Sequence, residues 1–190
     1  MAVAAVETHR WTREEYERMA AKGLFAPDVR VELVDGIVYD MTPQGSFHSA
    51  GVCACQKSLE KIFRDGHHVR VLMPLALGDC SEPEPDIAVV RGSYEDYAFA
   101  QPTAAVLIVE VGDKSLSYDR KQKIPDYART GVPEAWLMNL KAAVLEVYRD
   151  PVDGVYQTRL KFRIGDKVSP LARPAAEIAV ADLFFWRRGK

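Results

Sequence analysis

The chain has 190 residues, 48% hydrophobic and 27% charged, with a formal net charge of −2. That is the composition of an ordinary globular protein with room for one sizeable core. A balance so near neutral offers no global attraction to nucleic acid or anionic membranes, so any such contact must come from local patches. No apolar run approaches the roughly 18 residues of a membrane helix. The start, MAVAAVETHRW, lacks a basic segment followed by a long apolar one, so no signal peptide is read there and the cytoplasm is the expected compartment. One domain over residues 1–190 is expected.

In chain order, Thr12 of WTREEYERMA is placed to cap a helix whose first turn carries Glu14 and Glu15. RVELVDGIVYDM reads as two short strands around Asp35-Gly36, a two-residue hairpin signal. Residues 48–63 read as a helix, with Val52, Leu59, Ile62 and Phe63 on one stripe and Lys57, Lys61 and Arg64 on another. Cys53 and Cys55, two apart there, face different directions. With Cys80 they make an odd set of three, expected to be free thiols and small core residues. His67-His68 is read as a turn, then HVRVLMPLAL and DIAVV as strands. AAVLIVEV is apolar on both faces and so is a central, covered strand. SYDRKQKIPDYART is a helix ended by Gly131 and Pro133, in which Pro125 demands a kink or a late start. EAWLMNL and AVLEVYRD are further strands, and AEIAVADLFFW is a short strand and a turn. The sum is an α/β or α+β protein, a mixed sheet with helices against it.

The stretch SEPEPDIAVV brings acid to the mouth of an apolar strand. Alternation puts Asp86, Ala88 and Val90 on one face of that strand, and Val106, Ile108 and Glu110 on one face of the next. Asp86 starts the first strand and Glu110 nearly ends the second, so the two acids meet only if the strands are antiparallel. The connection, from about Arg91 to Ala105, contains Gly92 and Pro102 and no clear amphipathic helix, which favours that arrangement. Two carboxylates so close repel unless a proton or cation lies between them. Hard oxygen ligands of this kind suit Mg2+ or Mn2+, with waters completing the shell. Lys121 and Lys123, on the following helix, are both candidates to face developing negative charge. Taken singly, each acid is more often a capped turn or an ion-pair partner; the pair with a lysine points toward phosphodiester chemistry.

EPEPDIAVVRG, LIVEVGDKSLSYDRKQKIPDYARTGVPEAWLMNL and RVELVDGIVYDM resemble the Uma-type family of restriction-endonuclease-like proteins. The likeness runs from WTREEYERMA to ADLFFW. That family belongs to the PD-(D/E)XK nuclease superfamily, so the resemblance implies a restriction-endonuclease-like core and metal-dependent cleavage of DNA. Pro85-Asp86 matches the PD element and Glu110 the acidic position of the second element. Gly112 stands where the simple motif has lysine. The family pattern of Asp, three residues, Lys, three residues, Tyr instead maps onto Asp119, Lys123 and Tyr127, which selects Lys123 over Lys121. Glu32 matches an upstream glutamate of the superfamily; read alone, it is equally a strand glutamate that is exposed or paired with arginine. His48 stands where the family commonly carries a histidine, and a histidine at a helix start is more often structural. The implied catalytic set is Glu32, Asp86, Glu110 and Lys123, with Asp86 and Glu110 holding Mg2+ or Mn2+.

The expected partner is DNA, with no membrane; a homodimer is left open. Lys57, Lys61, Arg64, Arg187, Arg188 and Lys190 could touch phosphates, although most such runs are solvated faces. The alternative is a catalytically inactive module that binds nucleic acid or protein on a retained nuclease fold. The chain has no phosphate-binding glycine loop, no G-x-S-x-G nucleophile elbow and no zinc-ligand spacing, which removes NTPase, serine-hydrolase and zinc-site readings.

Overall fold

The structure is a computed structural model that describes residues 8–187. Helix α1 (Arg13–Ala21) starts at a capping box: Glu15 N donates to the Thr12 hydroxyl, and Thr12 N donates to the Glu15 carboxylate at 2.9 Å. Strands β1 (Val31–Val34) and β2 (Ile37–Asp40) form the expected hairpin. Asp35 and Gly36 both have positive φ, 51° and 74°, as a two-residue turn of matching twist requires.

Helix α2 (Ser46–Glu60) begins two residues before the expected boundary and buries Val52, Cys55 and Leu59. Gly51 lets it lie close to the sheet: a Cβ there would stand 3.0 Å from Leu140 and Val111. Of the cysteines only Cys55 is a core residue; Cys53 is exposed, because a two-residue step turns it away from the sheet.

The central sheet has six strands in chain order: β3 (His67–Val71), β4 (Ile87–Arg91), β5 (Leu107–Gly112), β6 (Glu134–Asn139), β7 (Val144–Val152) and β8 (Val155–Phe162). Only β5 and β6 pair in parallel; every other neighbour is antiparallel. This is the mixed sheet and α+β class expected. His67 and His68 lie in β3, not in a turn; their register against Arg91 and Val90 brings them into the ladder. HVRVLMPLAL stops being strand at Val71, where Leu72 takes a φ of 53°. Strand β8 carries too regular a mix of polar residues to stand out by apolar content; it is an edge strand with a mostly exposed face.

Between β5 and β6 the chain forms α3 (Leu116–Tyr118), a π-helical turn over Asp119–Lys123, and α4 (Ile124–Arg129). Pro125 therefore falls in the first turn of α4, directly after the π turn, where the helical run changes its winding. Gly131, with φ of 77°, turns the chain away. Toward the C-terminus, β9 (Lys167–Val168) pairs with β10 (Ile178–Ala179), and VADL forms α5 (Val180–Leu183) instead of a turn.

The sheet separates two apolar layers. Ile87, Val89, Val109 and Trp136 pack with α2 and the C-terminal segment. Ala88, Ile108 and Leu137 pack with Ile124 and Tyr127 of the helical run. No helix among the described residues is long and apolar enough to cross a membrane.

Candidate active site

The antiparallel register pairs Ile87 with Val109, so one residue further Asp86 lies across from Glu110. The first of these acids is held by backbone as well as side chain. Val111 N donates to Asp86 Oδ2 at 2.7 Å, and His48 Nε2 lies 3.0 Å from the same oxygen. Gln44 Nε2 is 3.4 Å from Oδ1. His48 reaches Asp86 because it stands in the first turn of α2, whose start overhangs this end of the sheet. Its Nδ1 is buried and has no hydrogen-bond partner among the described residues.

Lys123 comes from the π turn and points into the same place. Its Nζ is 2.9 Å from Glu110 Oε1, 3.2 Å from Glu32 Oε2 and 3.2 Å from the Glu84 carbonyl. Lys121 is exposed, so of the two lysines only Lys123 enters the cluster. One helical turn on, the Tyr127 hydroxyl donates to Glu110 Oε1. Glu32 arrives from the hairpin, which is clipped to the strand-entry segment by Leu33 and Glu82 backbone bonds. Leu33 faces core and Glu32 faces the cluster, as alternation requires. Glu32 accepts from Glu84 N at 2.9 Å and from the Tyr118 hydroxyl at 3.1 Å. Asp119 adds a fourth carboxylate, bonded by the Ser115 hydroxyl at 2.7 Å.

Glu32, Asp86, Glu110, Asp119 and Lys123 are all between 3% and 7% exposed. They sit in the floor of a cleft of about 370 Å³, walled by Tyr39, Tyr118 and Gln44 and open past Lys114. One lysine and one histidine therefore face four buried carboxylates. Burial, with help from Asp86, Asp119 and Glu32, pushes Glu110 well above the usual carboxylate range despite Lys123. Burial likewise raises Asp119 to about 6. Burial works against the Lys123 ammonium, yet Glu110 and Glu32 outweigh it and raise its pKa. For His48, too, burial opposes the charged form, and the Asp86 hydrogen bond overcomes it.

Among the described residues, no three or more His, Cys, Asp or Glu side chains are placed to hold a metal ion. The donor set nevertheless fits a hard divalent ion that is bound by two carboxylates and otherwise by water. The contacts to Glu110 use Oε1, and the short contacts to Asp86 use Oδ2. Glu110 Oε2 and Asp86 Oδ1 are thus the oxygens least engaged by the protein.

Sequence reasoning brought Glu32, Asp86, Glu110 and Lys123 forward, and the structure places all four together. It ranked His48 below them; the signal for it was only the family histidine. Tyr118, Ser115 and the Glu84 backbone had no signal, because their roles arise from tertiary contacts. Lys57 and Lys61 line a separate groove on the outer side of α2, away from the cleft. Arg188 and Lys190 lie outside the described residues.

A family profile described as "Uma2: Putative restriction endonuclease" matches residues 13–181. No curated protein sequence matches the chain. Among solved structures, the fold is similar to the crystal structure of "a putative nuclease belonging to DUF820" from Anabaena variabilis ATCC 29413. The TM-score is 0.73 at 21% sequence identity, over 92% of this chain and 98% of that one.

Proposed function

The chain belongs to the Uma2 family of restriction-endonuclease-like proteins, and from that premise we propose that it hydrolyses phosphodiester bonds of DNA with Mg2+ or Mn2+ as cofactor. The observation that carries the reading is Lys123 Nζ set between Glu110 and Glu32, with Asp86 on the adjacent strand, in the floor of one cleft.

In this reading Asp86 and Glu110 would hold the ion. When bound, the ion supplies Lewis-acid polarisation of the phosphate and a water of lowered pKa. His48 and Val111 N fix the Asp86 carboxylate, and Tyr127 fixes Glu110, so neither acid has to be reoriented. All three Lys123 protons are engaged, by Glu110, Glu32 and the Glu84 carbonyl. Lys123 therefore meets a phosphate oxygen by releasing one of its two longer bonds. Glu32 keeps the Glu84 N–H and Tyr118 hydroxyl if that bond is the one released. The ammonium then stabilises the negative charge on the non-bridging phosphate oxygens.

The full engagement of Lys123 is also the observation that favours the second reading, an inactive binding module. One assay separates the two: supercoiled plasmid and single-stranded DNA incubated with protein in Mg2+, in Mn2+ and in chelator. Metal-dependent nicking is the expected result. Its absence from wild-type protein, on both substrates and in both metals, moves the binding module ahead.

A further inference from the structure

The loops that follow the parallel strands β5 and β6 open at the same sheet end as Asp86 and Glu110, and each carries a lysine. Lys114 lines the cleft and is exposed. Lys141 has a 70% exposed side chain, with Nζ 3.5 Å from Asp113, the neighbour of Lys114. Arg187, exposed in the final turn Phe185–Arg187, donates Nη2 to the Lys141 carbonyl at 3.3 Å. Three exposed cations from three separate segments thus adjoin at this end of the sheet, one of them in the cleft lining, with Asp113 among them. Beside Arg187, the part-exposed rings of Phe47 and Phe185 pack edge-on against Trp186, with centroids 4.7 and 5.2 Å away. The cleft lining also includes the acids Asp40, which is exposed, and Glu84, which is tied to Arg30.

We propose that Lys114, Lys141 and Arg187 form the track along which one phosphodiester strand of nucleic acid enters or leaves the cleft. The inference rests on the nuclease reading of that cleft. Neighbouring exposed cations with aromatic surface beside them are what a single strand requires: ion pairs to successive phosphates and apolar surface for bases. A duplex carries two backbones, and the exposed Asp40 in the cleft lining disfavours the second. The substrate presented to the site is accordingly an unpaired or locally opened strand.

The test is fluorescence anisotropy of a labelled single-stranded oligonucleotide in chelator, so that no cleavage intervenes, over a series of salt concentrations. The variants are Lys114→Ala/Lys141→Ala/Arg187→Ala and a control, Lys22→Ala/Lys161→Ala/Arg163→Ala. The control removes three exposed cations that do not line the cleft. The track variant is expected to bind about tenfold more weakly at low salt. Its slope of log affinity against log salt should fall by about 2, at about 0.7 per phosphate contact on a single strand. The control should keep the wild-type slope, and wild type should bind a duplex of the same length more weakly than the single strand. An unchanged slope in the track variant, an equal loss in the control, or tighter binding of the duplex overturns the proposal. Wild-type nicking beside any of these outcomes leaves the nuclease reading standing. Loss of slope in the track variant of a protein that never nicks keeps the track and removes the nuclease.

Discussion

Glu110 and Glu146 occupy the same row on the same face of the sheet. Glu110 pairs with Leu137, and Leu137 pairs with Glu146. Two strand spacings, roughly 10 Å, separate them. Both are 3% exposed. Their surroundings are opposite. Glu146 meets two arginines and a hydroxyl: Arg120 Nη2 at 2.7 Å, Arg159 Nη2 at 2.5 Å and the Tyr148 hydroxyl at 2.6 Å. Burial acts against its charge, but these hydrogen bonds win and hold its pKa at about 2. Glu110 shares one lysine with Glu32, close to Asp86 and Asp119, and burial drives its pKa up. Where a buried glutamate only joins strands, the fold surrounds it with cations. In the cleft it leaves an excess of negative charge, which a proton or an external cation must offset.

The strongest way to break this contrast is Lys123→Ala. It removes the one ammonium among the four carboxylates and leaves only His48 to offset them. Loss of a buried charge partner costs about 3–5 kcal/mol, measurable by urea unfolding. At matched folding, nicking is expected to fall on the order of 100-fold or more. Retained activity would detach Lys123 from the chemistry.

Asp119→Asn sharpens the contrast in the other direction. An acid whose folded pKa is raised binds more protons folded than unfolded. Stability is therefore lost as pH rises from its ordinary 3.8 through about 6. Removing the charge is expected to stabilise the protein at pH 7 by on the order of 2 kcal/mol, and to flatten the stability profile between pH 4 and 6. A destabilised Asp119→Asn protein would mean that the cluster is already balanced.

Glu146→Gln should do the reverse. A depressed carboxylate contributes stability above its ordinary 4.5 and loses it as pH falls toward about 2. The variant is expected to lose about 1–2 kcal/mol at pH 7, limited by solvent around Arg159, whose side chain is 45% exposed. Its acid unfolding should be shallower than that of wild type, with nicking unchanged. The smallest effect belongs to Lys121→Ala: an exposed side chain outside the cluster, for which activity within twofold of wild type is expected.

The contrast also explains what could be read in advance. The meeting of Asp86 and Glu110 was legible because it depends on local things: alternation along two strands and a connection without a helix. The Asp35-Gly36 turn was legible for the same reason. The choice of Lys123 came from the family spacing; of the two lysines it is the buried one. The π turn that presents it was not legible, because a straight helix and a π turn have the same apolar pattern over so few residues. Glu32 read alone was ambiguous; only the docking of the hairpin onto Glu82 and Glu84 decides which way it faces. His48 shows the same limit, since its partner is 38 residues away and nothing in the helix itself announces Asp86. Strand β8 was missed because an edge strand with an exposed face need not be apolar.

The central claim is that the cleft carboxylates form an under-compensated site for a hard divalent cation. Calorimetric titration of Mn2+ into wild-type and Asp86→Ala protein, both verified as folded, tests it most directly. The account predicts one saturable site in wild type, weakened at least tenfold in Asp86→Ala. Equal binding by the two proteins, or no binding by wild type, would contradict it.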